Sequence, residues 1–394
     1  MRVLFWMNIG FDKQSTSGHL LCAVIDKLVK AGNTVHVVQV DQNGPFPSIP
    51  KEIEGPLVTN ASIKFSEPAK SNFIKRYFGE IRYCLDCRKE LKSHRDYDAV
   101  FIQSSNVAGV AVWLTKHYVK KAIVTFNTQD IFPYNAVFSG NVKRGSIVFK
   151  ALAAVQRYAY KKADHVITIS EDMKNLLVED GVNPDKVEVV YNWSYQDGLY
   201  ENLDLSPVSC MFHKDYFNVV YAGNIGVMQN VDILIEAAKL MKKDKSTWFH
   251  IIGNGVYKER LEARSKKYGI QNISFWPMQP SEMAPLIYSA ADINVIPLVK
   301  NVYQTALPSK TATCFACQKP VVFAIGAESK FGQKVATETG CPVVSSDKAE
   351  ELVKVIREIQ QGQIQCETRQ FFIEHMNSSV NSRAYAEIIT RKQP

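Results

Sequence analysis

Thr305-Ala-Leu-Pro-Ser-Lys-Thr-Ala-Thr-Cys-Phe-Ala-Cys-Gln-Lys-Pro-Val-Val-Phe-Ala-Ile325 is the stretch on which the reading of this chain turns. It reads as a loop that stops at Pro308, a short helix with Ser309 as N-cap, and a buried strand from Pro320 to Ile325. A helix that starts where a loop leaves a parallel strand points unpaired N–H groups, and the positive end of its dipole, into a crevice where an anion fits. Lys310 adds a mobile charge of the right sign. Two readings stand side by side here: a diphosphate site, and an ordinary strand-loop-helix unit with a solvated lysine.

Moving outward, the same unit recurs. Ala291–Pro297 is the apolar strand before this stretch, and Gly326, Ala327 and Glu328 form the loop after it, with Glu328 either a ligand or a solvated acid. Asn218–Ala222 reads as a strand leading into Gly223-Asn224-Ile225-Gly226 and a helix from Val231 to Lys242. Phe249–Gly253 leads into Gly253-Asn254-Gly255 and a helix over Tyr257–Tyr268. Ile273–Trp276 is followed by a helix with Ser281 as its cap. Towards the N-terminus, Arg2–Met7, the loop Asn8–Ser17, the helix Gly18–Ala31 capped by Gly32 and the strand Thr34–Val40 make a βαβ unit, whose loop lies at the carboxyl edge of a sheet. That loop lacks the G-x-G-x-x-G spacing of a dinucleotide fingerprint. Tyr97–Gln103, Ala122–Phe126, His165–Ile169 and Val187–Asn192 continue the series, with Ser170 capping the helix after the third. Alternation of this kind predicts an α/β protein of doubly wound parallel sheets.

A chain of 394 residues is too long for one small core and suits two domains. Ser194–His213 has no clear period and reads as the linker. The division expected is therefore 1–195, a linker at 196–213, a second domain at 214–372, and a C-terminal helical segment at 373–394.

Composition narrows the partners. The excess of 47 Lys and Arg over 39 Asp and Glu, a net charge of +8, favours anionic ligands. No zinc-finger, homeodomain or RNA-binding aromatic signature is present, so nucleic acid is not expected. The eight cysteines are scattered, which predicts reduced thiols, and both CxxC pairs, Cys84/Cys87 and Cys314/Cys317, fall within helices where core packing explains their spacing. The N-terminal apolar run is too short for a signal peptide, and no apolar run reaches membrane-spanning length. A cytoplasmic location is expected.

Phe73–His94 reads as a basic helix rich in aromatics, with Lys75, Arg76 and Arg82 among its cations. It fits either an anionic lipid surface or solvent over an apolar core face. Gly18 lets backbone approach a ligand, and His19 beside it reads either as a contact to a phosphate or acceptor hydroxyl or as a surface residue at a helix start.

The opening stretch resembles the donor-site helix of the family 4 nucleotide-sugar glycosyltransferases, in the branch that builds bacterial capsule and O-antigen polysaccharides. Pro308, Ser309, Lys310, Lys319 and Pro320 match its pattern. Thr305 and Thr313 stand at the two positions of that family's Glu-x7-Glu motif, and Gln318 stands where a Gly is expected. Tyr221 to Gln229 is similar to the first loop of the family's donor domain, with neutral Asn224 and Gln229 where other members carry basic residues. Gln129-Asp130 with Pro133 resembles the branch's Gln-Asp-x-x-Pro.

The resemblance implies the GT-B architecture, two doubly wound Rossmann-like domains facing a central cleft. It implies an acceptor-binding first domain, a donor-binding second domain and a C-terminal helix that returns to the first. It also implies a retaining transfer of a hexosyl or N-acetylhexosaminyl group from a nucleotide diphosphate sugar, in particular a UDP-sugar, to a hydroxyl of a lipid-linked saccharide, by an enzyme peripheral to the inner face of the cell membrane. Donor contacts then fall to Gly18, Gly223, Asn224, Gly226, Gln229, Gly253, Pro277, Met278, Thr305, Leu307, Pro308, Ser309, Lys310 and Thr313. Asp130, Lys310 and His19 take the catalytic roles, Asp130 touching donor sugar or acceptor hydroxyl, while an Asx-turn ahead of Pro133 is its alternative role. No cofactor and no metal is expected: the sole Asp-x-Asp, Asp96 to Asp98, opens a strand at the edge away from the ligand side. A sugar-nucleotide epimerase and a non-catalytic partner subunit are the alternatives.

Overall fold

The computed structural model describes residues 1–11, 18–41, 49–65, 73–194 and 198–392. The chain divides into two compact units, one made of Met1–Tyr191 with Ser378–Pro394 and the other of Asn192–Asn377.

The first unit is a seven-stranded sheet, β1 (Arg2–Trp6), β2 (Thr34–Asp41), β3 (Val58–Lys64), β4 (Ala99–Ile102), β5 (Ile123–Asn127), β6 (His165–Thr168) and β7 (Val187–Val189). Its order is β3-β2-β1-β4-β5-β6-β7, and every pairing is parallel. Central strands covered on both faces must be apolar throughout. Val3, Leu4, Phe5 and Trp6 are accordingly buried, with Phe5 stacked on Phe101 at 4.3 Å. β3 escapes the sequence reading because Thr59, Asn60, Ser62 and Lys64 interrupt its apolar residues, as an edge strand allows. Helices α1 (Gly18–Lys30), α2 (Phe73–Ser93), α3 (Ala108–Tyr118), α4 (Tyr134–Phe138), α5 (Ile147–Lys162) and α6 (Glu171–Glu179) are interleaved with the strands. Ser170 caps α6 as expected, its Oγ accepting from the Met173 N–H.

The second unit is a parallel six-stranded sheet, β8 (Phe217–Ala222), β9 (Thr247–Ile252), β10 (Ile273–Trp276), β11 (Ile293–Pro297), β12 (Val321–Ala324) and β13 (Val343–Val344), in the order β10-β9-β8-β11-β12-β13. Its helices are α7 (Asp232–Leu240), α8 (Lys258–Tyr268), α9 (Ala284–Ala290), α10 (Lys310–Ala316), α11 (Lys330–Thr339), α12 (Ala349–Gln360) and α13 (Arg369–His375). The expected linker is part of this unit, because Val208 and Met211 are buried in it. Ser281 is not an N-cap: it opens a short 3-10 turn, and its hydroxyl reaches only Glu282, at 3.4 Å.

The expected single helical tail is two helices. Phe371 and Phe372 of α13 are buried in the second unit, whereas α14 (Ser378–Thr390) belongs to the first. There Asn381 donates to the Tyr191 carbonyl at 2.8 Å, and buried Tyr385 donates to Asn127 Oδ1 at 3.2 Å. Cys84, Cys87, Cys314 and Cys317 are all buried free thiols, in keeping with a packing role for both CxxC pairs.

Candidate functional site

In each sheet the strand order reverses direction at one place, between β1 and β4 and between β8 and β11. Chains leaving the carboxyl ends of two such strands diverge to opposite faces and leave a crevice, the usual ligand position in an open α/β sheet. In the second unit β8 runs into Gly223-Asn224-Ile225-Gly226, and β11 runs into the loop that ends at α10.

Glycine is obligatory in this crevice for two reasons. Gly223, Gly253 and Gly255 have φ of +142°, +151° and +157°, a region closed to L side chains. A Cβ on Gly253 would lie 1.9 Å from the Gly223 carbonyl oxygen, and one on Gly255 would lie 2.2 Å from that of Ile225. The loops after β8 and β9 are thus pressed backbone to backbone, with Ile225 N–H donating to the Asn254 carbonyl at 2.8 Å.

Lys310 lies against the first of these loops. Its Nζ stands 3.9 Å from the centre of the Tyr221 ring, and a Cβ on Gly223 would be 2.7 Å from it. The side chain is therefore held in place, where the sequence suggested a mobile charge. Burial lowers its pKa to about 8. No carboxylate among the described residues pairs with it, so a cation is held in a partly desolvated position against an aromatic face. Tyr221 is the site residue to which sequence reasoning gave no role. Its hydroxyl donates to the Asn224 carbonyl, so it fixes both the lysine and the loop.

The other predicted donor residues divide. Asn224, Gly226 and Gln229 sit in the same loop, with Asn224 Nδ2 donating to Gln229 Oε1 at 3.4 Å. Pro277 and Met278 follow β10, both exposed; the Pro277 carbonyl accepts from Gln279 Nε2 at 3.0 Å, and Lys258 Nζ holds the Trp276 carbonyl at 2.9 Å. Leu307 and Pro308 are half-buried before α10, and the Pro308 carbonyl accepts from the Thr311 hydroxyl at 2.8 Å. Ser309 stands at the N-cap position in helical conformation and makes no side-chain cap, so the expected cap is not formed. Thr305 is buried, and its hydroxyl donates to the Val302 carbonyl at 3.0 Å, which turns it inward. Thr313, three residues after Lys310, lies on the same side of α10 and is nearly buried. Glu328 folds back on its own loop, its carboxylate 3.0 Å from where a Gly326 Cβ would stand.

In the first unit Gly18 and His19 open α1, Gly18 buried and His19 half-buried. The loop before them is described only to Phe11, and residues 12–17 lie outside the described residues. Asp130 follows β5 in a loop tied down by Gln129, whose Nε2 donates to Asn127 Oδ1 at 3.1 Å and to the Tyr385 hydroxyl at 3.3 Å. The Asp130 carboxylate makes no hydrogen bond with a described residue, which removes the Asx-turn role, while its backbone carbonyl accepts from the Thr128 hydroxyl at 3.1 Å. The side chain is open to solvent, yet desolvation by the surrounding protein raises its pKa to about 6. Asp96 and Asp98 are taken by Arg2 at the amino end of the sheet, its guanidinium on Asp96 and its N–H on Asp98.

Residues 19–193 match Glycosyltransferase Family 4, and residues 216–362 match Glycosyl transferases group 1. The chain belongs to glycosyltransferase family 4. It is 30% identical over 227 residues to the putative colanic acid biosynthesis glycosyl transferase WcaI of Escherichia coli K12, a match spanning 55% of this chain and about half (54%) of that protein. It is 22% identical over 347 residues to the probable glycosyltransferase WbjE of Pseudomonas aeruginosa, covering 85% of this chain and 84% of the relative. Among solved structures, HepE of Anabaena in complex with UDP and glucose superposes with a TM-score of 0.65 at 15% identity, covering 99% and 95% of the two chains. Each unit of this family 4 member has the doubly wound form of the GT-B fold.

Proposed function

We propose that this protein transfers a sugar from a nucleotide diphosphate sugar, specifically a UDP-sugar, to a hydroxyl of a lipid-linked saccharide during surface polysaccharide synthesis. The observation that carries this reading is the Lys310 ammonium held against the Gly223 loop without a carboxylate partner. Glycine backbone admits a diphosphate closely, and an unpaired, partly desolvated ammonium is stabilised by the negative charge it brings. As the bond between the anomeric carbon and the phosphate oxygen breaks, the electron pair leaves on the diphosphate, and Lys310 meets the charge that develops there. The acceptor oxygen bonds to the same carbon and passes its proton to the departing diphosphate oxygen. Asp130, ionised at neutral pH, accepts from that hydroxyl or from the donor sugar, and His19 supports the same end of the reaction. The reading calls for no metal, since Lys310 takes that part. Retention of configuration is carried over from the family resemblance.

Three likenesses support this reading: the family match, the fold shared with HepE, which was solved in complex with UDP and glucose, and the relationship to WcaI, which is named for colanic acid biosynthesis. No helix among the described residues is long and apolar enough to cross a membrane, so the lipid-borne acceptor is met in this reading by a protein resting on the inner face of the membrane, with α2 towards the lipid.

A second reading, a non-catalytic partner subunit, is favoured by Thr305, whose hydroxyl is spent inside the protein where the family places a glutamate. Calorimetric titration with UDP tests the first reading. Measurable binding, weakened at least about 30-fold in Lys310→Ala, is expected, because truncating a buried charge contact costs about 2 kcal/mol or more. No UDP affinity in the intact protein would sink the transferase reading. UDP binding without turnover across a panel of lipid-linked acceptors would favour the partner subunit.

A further inference from the structure

α2 does not present all its aromatics outward. Phe73 and Tyr77 pack on a small apolar cluster of Phe132, Ala136, Val142 and Leu152, and Phe149 of α5 packs on the same cluster. Phe132 stacks with both α2 rings, at 6.2 and 6.0 Å, and Tyr134 meets Phe149 edge-on at 5.3 Å. The cluster thus fastens the first turns of α2 and α5 together. Beside the inward residues stand four exposed apolar side chains: Ile74 is 66% exposed, Phe78 65%, Ile147 87% and Val148 56%. The first turn of α5 is held in shape by Ser146, whose Oγ accepts from the Phe149 N–H at 3.1 Å, so Ile147 and Val148 are displayed by an ordered helix start.

The charge around this face is predominantly positive, with Glu80 beside Arg76 and Asp180 on the Tyr134 hydroxyl as its acids. From Ile131 to Ala163 the sequence contains no Asp or Glu, and it contains Lys143, Arg144, Lys150, Arg157, Lys161 and Lys162. α2 adds Lys75 and Arg76 before its first acid, Glu80, which lies 3.8 Å from Arg76. The positive end of the α5 dipole is likewise unneutralised, with no acid in its first turn.

We infer that the first turns of α2 and α5 form one bilayer-docking surface, in which Ile147 and Val148 enter the headgroup–acyl boundary together with Ile74 and Phe78 while the surrounding Lys and Arg side chains meet anionic headgroups. The inference rests on the membrane-side reading of α2 and adds a second anchor to it. A bilayer is the occupant that fits. Projecting apolar side chains need no complementary groove in lipid, and a rim of lysines, which protein interfaces avoid, is what anionic lipid attracts.

The test is sedimentation of the full-length protein with vesicles of neutral phosphatidylcholine and of phosphatidylcholine with about 30% phosphatidylglycerol, an anionic surface of the kind that draws basic segments. The wild type is expected to bind the anionic vesicles at least about tenfold more strongly, and to be released as salt rises from about 0.1 to about 0.5 M. Ile147→Asp with Val148→Asp is expected to lower the partition coefficient at least about tenfold with unchanged UDP affinity and circular dichroism. Leu240→Asp, on an exposed apolar residue of the second unit, is the control and is expected to leave binding unchanged. If Lys75→Glu with Arg76→Glu abolishes binding while the α5 pair has no effect, the α2 reading stands and this inference falls. If the wild type binds neither vesicle, both fall. If the α5 variant changes only the oligomeric state, the face joins two copies of this chain and the inference is overturned.

Discussion

The two sheets share a topology and differ in what stands at their turning points. At the β8–β11 edge, three left-handed glycines press two loops together, and Lys310 lies against them with no carboxylate partner. At the β1–β4 edge the polar groups answer one another. Gln103 Oε1 accepts from the Asn8 N–H at 3.1 Å, Asn8 Nδ2 donates to the Ser104 carbonyl, and Gln39 Oε1 accepts from the Phe11 N–H at 2.9 Å. Identical strand order therefore does not dictate identical sites. Among the described residues, the second edge holds a cation without a carboxylate partner while these polar groups of the first pair with one another, so an anion gains more at the second.

The sharpest way to break this contrast is Gly253→Ala. A methyl 1.9 Å from the Gly223 oxygen, at a φ of +151°, forces the two loops apart, and a loss of about 2–4 kcal/mol in urea unfolding together with loss of UDP binding is expected. Unchanged UDP affinity would show that the loops do not form the site.

The pH dependence comes next. The protonated Lys310 is the binding form, and burial sets its pKa near 8 in the free protein. UDP affinity is therefore expected to be flat below that pH and to weaken by up to about tenfold per unit above it. The same group acts oppositely on folding. Its folded pKa is depressed below the unfolded 10.5, so the unfolded chain binds more protons between about 8 and 10.5, and stability relative to Lys310→Met should rise with pH across that window. A flat affinity profile through pH 9, read by calorimetry, would remove the lysine from the site.

Gln103→Leu addresses the other edge. It strands the Asn8 N–H and should cost about 1–2 kcal/mol of stability, with UDP affinity unchanged. A fall in UDP affinity would mean that the satisfied edge also serves the donor. The smallest effect belongs to Thr313→Glu, which sets a carboxylate one turn from Lys310 on the same helix side. A few-fold loss of UDP affinity, about 0.5–1 kcal/mol, is expected because the new carboxylate competes with the diphosphate for Lys310, with the pH break moved upward. Abolished binding would instead mean a site built around the hydroxyl.

Much of this was legible in the chain. Continuous apolar runs such as Val3–Trp6 and Val321–Ala324 mark strands covered on both faces, and the glycines at Gly223, Gly253 and Gly255 mark where backbone must approach backbone. Other features depend on neighbours distant in sequence. Lys310 reads as a free charge until the missing side chain of Gly223 is seen to make its berth. Thr305 reads as a ligand until its hydroxyl is found spent on Val302. Ser281 and Ser309 have the composition of caps and lack the geometry: Ser281 lies inside a short 3-10 turn and Ser309 is itself in helical conformation, whereas a capping residue stands outside the helix in extended backbone. β3 was hidden by its own polarity, which an edge position permits.

The hydrogen bond from Tyr385 to Asn127 spans 258 residues. During synthesis the whole second unit is made before α14, so it has all its strands and helices in hand while the first is still missing the helix that covers β4 and β5. The first unit's sheet must therefore wait, partly uncovered, as its later-made neighbour folds, an inversion of the usual order in which domains are completed on the ribosome. Dissections that express residues 1–191 alone would lack that helix and expose the apolar surface it covers.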